Sequence, residues 1–328
     1  MSVSFDLIAE AARVLRPAVV ETPLVESPVL NALAGCRVLV KAENLQRTGS
    51  FKYRGAFFRL SKLGDAERRR GVIAFSSGNF AQALAAAGAA AGVAVTIVMP
   101  IDAPKAKIDA TRGYGAEVVL SEHGARNREE VANELAAKLA ETRGLTKLHP
   151  FDDPLVVAGQ ATCGIEIARQ AVERGAVLDA LVVPVGGSGL IAGIALAMLK
   201  LAPATQVIAA EPEGFDDLRR SLVDGTRQRI VPGARSICDA LQAASPGAVP
   251  FGAAQHAITG GVAVSDAEAV TAMVAAFTHL KLVAEPSGAI GLGAVLAGKI
   301  VPMPRTIGVI LSGGNIALGE FAGLTASA

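Results

Sequence analysis

The sequence predicts an α/β protein built on open, mostly parallel sheets with helices on their faces. Short β-branched runs alternate with Ala-rich helical stretches along most of the chain, and Gly-rich turns follow several of the β-branched runs. No repeat, low-complexity tract or obvious linker interrupts the alternation. Strands that alternate with helices are typical of parallel sheets, because parallel neighbours need a crossover connection rather than a tight hairpin.

The individual elements follow from local periodicity. Runs rich in Val, Ile and Leu that end at a turn residue are predicted as strands, and Ala-, Leu- and Glu-rich stretches with helical spacing are predicted as helices. On this basis we predict strands at residues 37–41, 72–75, 94–99, 116–120, 181–185, 206–210 and 306–311, and helices that include 81–91, 128–141, 189–200 and 267–279.

Composition narrows the class of protein. The 328 residues provide for two modest domains or one large one, and with 4% aromatics and no Trp the core must be made of Ala, Val, Leu and Ile. A net charge of +1 without a basic tract argues against a nucleic-acid partner. No apolar run reaches membrane-spanning length, so we expect no membrane partner either.

Cysteine usage predicts a reducing compartment. Cys36, Cys163 and Cys238 are isolated and form no CxxC pair, which argues against a structural zinc site. The N-terminal residues lack the charged and apolar regions of a secretory signal. We therefore expect a cytoplasmic protein.

Lys52 is the most informative single residue. It follows a Gly-Ser turn within residues 48–56 and opens an apolar run with helical spacing. A lysine beside Phe51 at the start of an apolar helix is either an ordinary helix-start charge or a desolvated amine. Desolvation lowers the proton affinity of an amine and makes it a nucleophile for carbonyl compounds, including the aldehyde of pyridoxal phosphate (PLP). Lys41 is the nearest alternative lysine, but it lies at the end of a predicted strand.

Two polar loops follow predicted strands and precede predicted helices. Residues 76–79 read Ser-Ser-Gly-Asn, and residues 186–189 read Gly-Gly-Ser-Gly. Backbone N–H groups at a helix start suit a carboxylate in the first loop and a phosphate in the second. The alternatives are simple helix capping for the first loop and tight packing for the second. The second loop is neither a P-loop nor a complete dinucleotide fingerprint.

An acidic loop follows the strand predicted at 206–210. It reads Glu-Pro-Glu-Gly-Phe-Asp-Asp over residues 211–217. Such a loop is either a solvated turn or a source of the hard oxygen ligands that divalent cations prefer.

Four motifs together resemble one enzyme family. Residues 49–55, 76–79, 186–189 and 312–315 are similar, in the same order, to motifs of the serine/threonine dehydratase and serine racemase family. That family belongs to the tryptophan-synthase-β-like, fold type II PLP enzymes. The resemblance spans roughly residues 20 to 320. It implies two open twisted, mostly parallel sheets flanked by helices, and PLP as the cofactor.

Carried over by position, the resemblance assigns the cofactor contacts. It implies that Lys52 forms the covalent link to PLP and that Asn79 binds the 3-hydroxyl. Ser312 would face the pyridine nitrogen, where a neutral hydroxyl leaves the cofactor a weaker electron sink than an aspartate would. The phosphate would be held by backbone N–H groups of Gly186, Gly187, Ser188, Gly189 and Leu190.

The resemblance also implies contacts with a small amino-acid substrate. Its carboxylate would bind the loop formed by Ser76, Ser77, Gly78 and Asn79, and Ser77 would act as an acid/base as it does in racemases. Arg128 aligns with an arginine near the substrate, although a surface charge at a helix start is an equally good interpretation. Phe80 stands where the family often has His, which disfavours a second carboxylate on the substrate.

A divalent cation (Mg²⁺, Mn²⁺ or Ca²⁺) is a further expectation. In the metal-activated members of the family, the ligands corresponding to this chain would be the carboxylates of Glu211 and Asp217 and the carbonyl of Phe215.

The predicted activity is PLP-dependent dehydration and deamination of L-threonine or L-serine to a 2-oxo acid and ammonia. The alternatives are a serine racemase, a dehydratase of 3-hydroxyaspartate or another β-hydroxy amino acid, and a PLP- or amino-acid-binding protein without catalysis. We expect a large cofactor-binding domain from residues 1–48 and 148–328, and a small substrate-closing domain from residues 49–147. A homodimer is the family default.

Overall fold

A computed structural model describes residues 3–326 and divides the strands between two sheets. Met1, Ser2, Ser327 and Ala328, which fall within the predicted large domain, lie outside the described residues. The strands are β1 (Leu24–Val25), β2 (Arg37–Ala42), β3 (Val72–Phe75), β4 (Val95–Pro100), β5 (Glu117–Ser121), β6 (Thr146–Lys147), β7 (Ala180–Pro184), β8 (Gln206–Pro212), β9 (Gly260–Val264) and β10 (Thr306–Leu311).

The six-stranded sheet has the order β1-β2-β10-β7-β8-β9, and the four-stranded sheet has the order β5-β4-β3-β6. Every strand pair is parallel except β1 with β2. In a parallel sheet all strands end at the same edge, and ligands bind where the following loops turn into helices.

Helices cover both sheets. They are α1 (Phe5–Leu15), α2 (Pro28–Ala34), α3 (Lys52–Ser61), α4 (Asp65–Arg70), α5 (Asn79–Ala91), α6 (Lys105–Gly113), α7 (Arg128–Arg143), α8 (Pro154–Glu173), α9 (Gly189–Leu201), α10 (Asp217–Asp224), α11 (Ala248–Ala254), α12 (Asp266–Ala275), α13 (Pro286–Leu296) and α14 (Leu318–Thr325). Short 3₁₀ turns occur at Glu43–Leu45, Arg47–Gly49, Asp239–Leu241 and Gln255–Ala257.

Strand β10 shows how the large sheet is buried on both faces. Ile307, Val309 and Leu311 pack into the core on one face, while Ile310 packs into the core on the other. Side chains alternate between the two faces of a strand, so a run that is apolar throughout requires helices on both sides.

The predicted fold class is confirmed, with differences at element ends. Strands β1, β6 and β9 are not predicted from the sequence. Strands β1 and β6 contain only two residues each. Strand β9 begins with Gly260-Gly261, a pair with low strand propensity that becomes extended by pairing with β8. The helix predicted over 267–279 ends as an α-helix at Ala275 and continues as a π-helical turn, Ala276–Leu280.

The two sheets draw on different parts of the chain. The four-stranded sheet uses residues between 72 and 147, whereas the six-stranded sheet uses residues on both sides of that stretch. The division into separately moving domains, with 1–48 and 148–328 in one and 49–147 in the other, stays a prediction. No helix within residues 3–326 combines the length and apolarity needed to cross a bilayer.

A buried ionic cluster fixes the start of α3. The fully buried guanidinium of Arg54 donates to Glu43 at 2.7 and 2.8 Å and to Glu166 at 2.6 and 2.7 Å. Burial would raise the pKa of Glu43, but Arg54 holds it below its usual value. Lys41 is committed to the same cluster, because its Nζ donates to Glu166 and to the Thr22 carbonyl at 2.6 Å each.

Removing the Arg54 cation should destabilise the fold strongly. Arg54→Met leaves the fully buried Glu43 carboxylate without its ion-pair partner, while Glu166 keeps Lys41, and this change costs about 3–5 kcal/mol of folding free energy. The urea midpoint of unfolding measures the loss. Arg143→Met is the matched control, because Arg143 pairs with Glu117 on the surface and its loss should cost about 0.5 kcal/mol. Equal midpoints for the two variants would contradict the role assigned to Arg54.

Candidate active site

A narrow cleft lies at the carboxyl ends of β7 and β10. The loop after β7 and Ser312, which follows β10 directly, form its large-sheet side. Asn79, at the start of α5, comes from the other sheet. Each of the four predicted motifs, 49–55, 76–79, 186–189 and 312–315, thus contributes at least one residue to the lining of this cavity.

Lys52 presents its amine to this cleft from the first turn of α3. The Nζ atom lies 5.0 Å from the ring centre of Phe51 and 6.0 Å from that of Phe80, and it donates to the Pro150 carbonyl at 3.4 Å. Burial lowers the pKa of Lys52 to about 8, opposed by the negative charge of Glu129. A substantial fraction of this amine is therefore neutral and nucleophilic near pH 8.

The loop after β7 is shaped to receive an anion. Ser188 has a left-handed backbone (φ 70°), and its Oγ is buried without a hydrogen-bond partner among the described residues. A Cβ at Gly187 would lie 2.3 Å from the Phe151 ring, so only glycine fits there. The loop leads into the N-terminus of α9 at Gly189, where free N–H groups and the helix dipole favour a phosphate.

Asn79 is held from both sides of its side-chain amide. Its Nδ2 donates to Glu285, and its Oδ1 accepts from Nδ2 of Asn315 at 2.9 Å. Asn315 in turn donates to the Thr48 carbonyl at 2.8 Å. Asn79 is therefore fixed against the segment that precedes Lys52, at the edge of the cleft.

A second small cavity adjoins the first and shares Lys52 and Asn79 with it. Ser76, Ser77 and Phe80 line it, together with Lys52 and Glu129. The Ser77 hydroxyl lies 3.5 Å from the Asp239 carbonyl oxygen, and the Ser76 hydroxyl accepts from the Gly78 N–H at 3.1 Å. Ser77 and the Lys52 amine thus lie on the same small cavity.

Sequence reasoning singled out Arg128, but its neighbour Glu129 lines the cavity. The Arg128 guanidinium lies 3.5 Å from the Asp102 carboxylate, and Arg128 is not among the described residues that line the two cavities. Successive helical residues point about 100° apart, so one position decides which side chain enters a site. Burial raises the pKa of Glu129. Arg128 as a substrate contact stays a prediction.

Lys107, Glu285 and Asp239 are further polar residues near the cleft that the sequence did not reveal. Glu285 lines the first cavity and accepts from Asn79, and Lys107 pairs with both carboxylates. Lys107 is more than 130 residues from either partner in sequence, so no local pattern signals the cluster.

The predicted cation ligands lie at the end of β8. Glu211 is the penultimate residue of the strand rather than part of the loop, and its carboxylate accepts from the N–H groups of Leu218 and Arg219 at 2.8 Å each. Burial and the neighbouring Asp217 raise the pKa of Glu211, and burial raises that of Asp217 to about 7.

The fit of this site to a cation is partial. Asp217 Oδ2 is buried without a hydrogen-bond partner in the described part of the chain, and Phe215 is buried close to it in sequence. Within residues 3–326, no group of three or more His, Cys, Asp and Glu is arranged to hold a metal. A site here would therefore need backbone oxygen or water as further ligands.

The sequence and the structure were compared with those of known proteins. Residues 15–313 match the family model described as pyridoxal-phosphate dependent enzyme. The chain is 40% identical over 321 residues, 98% of each chain, to the L-threo-3-hydroxyaspartate ammonia-lyase of a Pseudomonas sp.. The solved T.th. threonine deaminase is similar with a TM-score of 0.89 and 42% identity, covering 96% of this chain and 99% of that one.

A second solved structure, maize serine racemase, is similar with a TM-score of 0.91 and 32% identity, covering 100% of this chain and 98% of that one. This chain therefore belongs to the pyridoxal-phosphate-dependent enzyme family, and the predicted resemblance is confirmed. The cleft fits PLP, because it offers a partly neutral lysine amine and an anion-binding loop with an unpartnered buried hydroxyl among the described residues.

Capture of PLP by the cofactor-free protein should depend on the Lys52 amine. Because burial lowers the pKa of Lys52 to about 8, the rate of covalent capture should rise as the pH rises through about 8, since only the neutral amine attacks. Stopped-flow absorbance of the lysine-linked cofactor measures this rate, with Nα-acetyl-lysine, whose side-chain amine is free, as the unperturbed reference.

Replacing the Lys52 amine tests the position of the covalent link. Lys52→Arg should show no visible absorption band of bound cofactor and should lose several orders of magnitude in turnover. A normal cofactor absorption band in the Lys52→Arg variant would show that another lysine forms the covalent link.

Proposed function

We propose that this chain eliminates water from a β-hydroxy amino acid, L-threonine or L-serine, to give an enamine that hydrolyses to a 2-oxo acid and ammonia. The single observation that carries the proposal is the arrangement around Lys52: an anion-binding loop on one side and the Ser76–Asn79 loop on the other. When bound, PLP withdraws electrons from the Cα of the attached amino acid.

The residues of the chain supply the rest of the chemistry. The Lys52 amine would remove the Cα proton of the substrate as a general base, for which its lowered pKa is suited. The Ser76–Asn79 loop binds the substrate carboxylate through N–H groups at the start of α5 and through its hydroxyls. The β-hydroxyl leaves as water, and the released enamine hydrolyses to the 2-oxo acid and ammonia.

The lining of the second cavity favours a substrate with one carboxylate. Among its described residues, Lys52 is the one cationic side chain, while Glu129 contributes a carboxyl group and Phe80 an apolar ring. A second carboxylate, as in 3-hydroxyaspartate, would meet no further cation there. That substrate remains an alternative because a relative 40% identical bears the name of an L-threo-3-hydroxyaspartate ammonia-lyase.

Ser77 supports a second candidate activity, serine racemisation. Its hydroxyl lines the same cavity as the Lys52 amine, and a base and an acid on opposite faces of Cα would invert the substrate. A binding protein without catalysis is disfavoured, since Lys52, Ser77 and Ser312 all line the cavities.

Substrate choice can be measured with a small panel. The holoenzyme is incubated with L-serine, L-threonine, D-serine and 3-hydroxyaspartate, and the oxo acid and the enantiomer ratio are recorded for each. Oxo acid should form fastest from L-threonine or L-serine. Dominant D-serine formation would replace the dehydratase proposal with racemase, and turnover confined to 3-hydroxyaspartate would overturn the substrate assignment.

Ser77→Ala is the internal control in the same assay. It should suppress racemisation and turnover of D-serine while sparing much of the elimination from L-substrates, because the Cα proton of an L-substrate is removed by Lys52. Loss of both activities to the same degree would show that Ser77 is required for binding rather than for proton transfer on one face.

We also propose that Glu211, Asp217 and the Phe215 carbonyl bind a divalent cation. The support is the pair of buried carboxylates with raised pKa values and the Asp217 Oδ2 without a partner among the described residues, since a cation would relieve their repulsion. An ion there would stabilise the end of β8 and the start of α10 and would take no part in bond breaking.

Thermal melting tests the cation directly. Mg²⁺, Mn²⁺ or Ca²⁺ should raise the melting temperature of the chelator-treated protein by a few degrees, because an ion that binds only the native state stabilises it. Asp217→Asn should abolish the response. Asp224→Asn, at the exposed end of the same helix, should keep it. If none of the three ions changes the melting temperature, residues 211–217 do not bind a cation and have a structural role alone.

The proposal extends to the oligomeric state and the cellular compartment of the protein. We propose a homodimer in the cytoplasm, with closure of residues 49–147 over the substrate. The three free cysteines, Cys36, Cys163 and Cys238, suit a reducing compartment. Light scattering measures the oligomeric state, and X-ray scattering with and without substrate measures closure.

A further inference from the structure

Lys107 is a buried lysine that the proposed reaction does not use. It lies on α6 with 4% of its side chain exposed, whereas Lys105 on the same helix is 87% exposed. Its Nζ lies 2.8 Å from Glu285 Oε2 and 2.8 and 3.0 Å from the two carboxylate oxygens of Asp239. Burying a charge is costly unless it is paired, so this arrangement calls for a structural or functional reason.

The ion pairs join the two sheets across the active site. Helix α6 connects β4 to β5 in the four-stranded sheet. Asp239 opens a 3₁₀ turn and Glu285 precedes α13, and both segments belong to the six-stranded half of the chain. Lys107, from the four-stranded half of the chain, thus forms ion pairs with two carboxylates of the six-stranded half.

The first contact of functional importance runs through Glu285 to Asn79. One oxygen of the Glu285 carboxylate pairs with Lys107, and the other accepts from Asn79 Nδ2. A side-chain amide has two N–H donors, so Asn79 keeps one for the 3-hydroxyl of PLP while Glu285 fixes its orientation. Lys107 therefore controls the charge of the group that orients Asn79.

The second contact is steric and lies behind the loop that binds the substrate. A Cβ at Gly78 would be 2.2 Å from Lys107 Cδ, which shows that the lysine stem packs directly against the backbone of this loop. Asp239, the other partner of Lys107, lies with its carbonyl oxygen 3.5 Å from the Ser77 hydroxyl. The stem and its partner thus contact the two residues at the centre of the loop.

The electrostatics favour a permanently charged lysine. Burial alone would lower the pKa of Lys107, but Glu285 and Asp239 raise it well above the usual value. Burial also raises the pKa of Glu285, against which Lys107 acts. With two carboxylates facing one ammonium, loss of that ammonium would leave Glu285 buried without a compensating charge.

We propose that Lys107 is a positioning residue that holds the Ser76–Asn79 loop in register with the cofactor. It acts on Asn79 through Glu285 and on Gly78 through its alkyl stem. The proposal rests on the proposed function in that this loop binds substrate. Its effect on PLP can nevertheless be measured without any substrate.

Lys107→Met keeps the volume of the stem and removes the cation. Loss of the charge that orients Asn79 should weaken PLP binding to the full-length protein about 10- to 100-fold, the effect of one hydrogen bond to a charged group. The absorption maximum of the bound cofactor should shift, because its 3-hydroxyl contact changes. Lys107→Arg, which retains the cation, should restore most of both. Lys105→Met, on the exposed side of the same helix, should match the wild type.

A double-mutant cycle separates positioning from general destabilisation. In the Glu285→Gln background, Lys107→Met should change PLP affinity less than about threefold, since the group through which the lysine acts is already neutral. This background also removes the buried Glu285 carboxylate that Lys107→Met would leave unpaired, and the more exposed Asp239 remains, so the double variant is the comparison if Lys107→Met alone does not fold.

Three results would overturn the proposal: an unchanged absorption maximum and PLP affinity in Lys107→Met, no rescue by Lys107→Arg, or equal losses in both backgrounds. Failure of the wild-type protein to act on any β-hydroxy amino acid would instead overturn the proposed function and leave the PLP measurements interpretable.

Discussion

The placement of the Lys52 amine depends on the buried guanidinium of Arg54. Lys52 and Arg54 lie two positions apart on α3, about 200° around the helix, so one faces the cleft while the other faces the core. Glu43, which follows β2, and Glu166 on α8 each bind the guanidinium through two hydrogen bonds. Because α3 is fixed at this point to a strand end and to a long core helix, the Lys52 amine is held in place without an ionic anchor of its own. Such an anchor would compete with the proposed role of Lys52 as a base.

The site is shared between the sheets, and each contributes a different kind of contact. The six-stranded sheet provides the loop after β7 and Ser312, which line the first cavity. The four-stranded sheet provides Ser76 and Ser77, which line the second cavity, and Asn79, which lines both. Polar contacts such as Lys107 with Glu285 cross between them. With the proposed closure of residues 49–147, this division would let the substrate side adjust while the cofactor stays bound, as lid-type closure in enzymes requires.

Sequence reasoning located the parts of the site that follow strands. Residues 186–190 and 312 meet because the neighbouring parallel strands β7 and β10 end at a common edge. Residues 76–79 follow β3 of the other sheet, and their strand-to-helix turn of Ser, Gly and Asn is visible locally. Two kinds of information were out of reach. Glu129 and Arg128 differ by one helical position, and only packing decides which enters the cavity. Lys107 and Glu285 are 178 residues apart, and a lysine on a helix carries no sign of its distant partner. The two-residue strands β1 and β6 have too little length for any periodicity.

The position of β10 in the large sheet has a consequence for synthesis on the ribosome. The last strand of the sheet in chain order lies between β2 and β7, so a nascent chain that has not reached Thr306 holds two unjoined pieces, β1-β2 and β7-β8-β9. The four-stranded sheet, in contrast, is complete once Lys147 has emerged. Until β10 is inserted, the apolar edges of β2 and β7 remain open to wrong partners. The chain therefore passes through most of its synthesis with its cofactor-binding half unfinished, and chaperones that shield exposed strand edges would act on that half in particular.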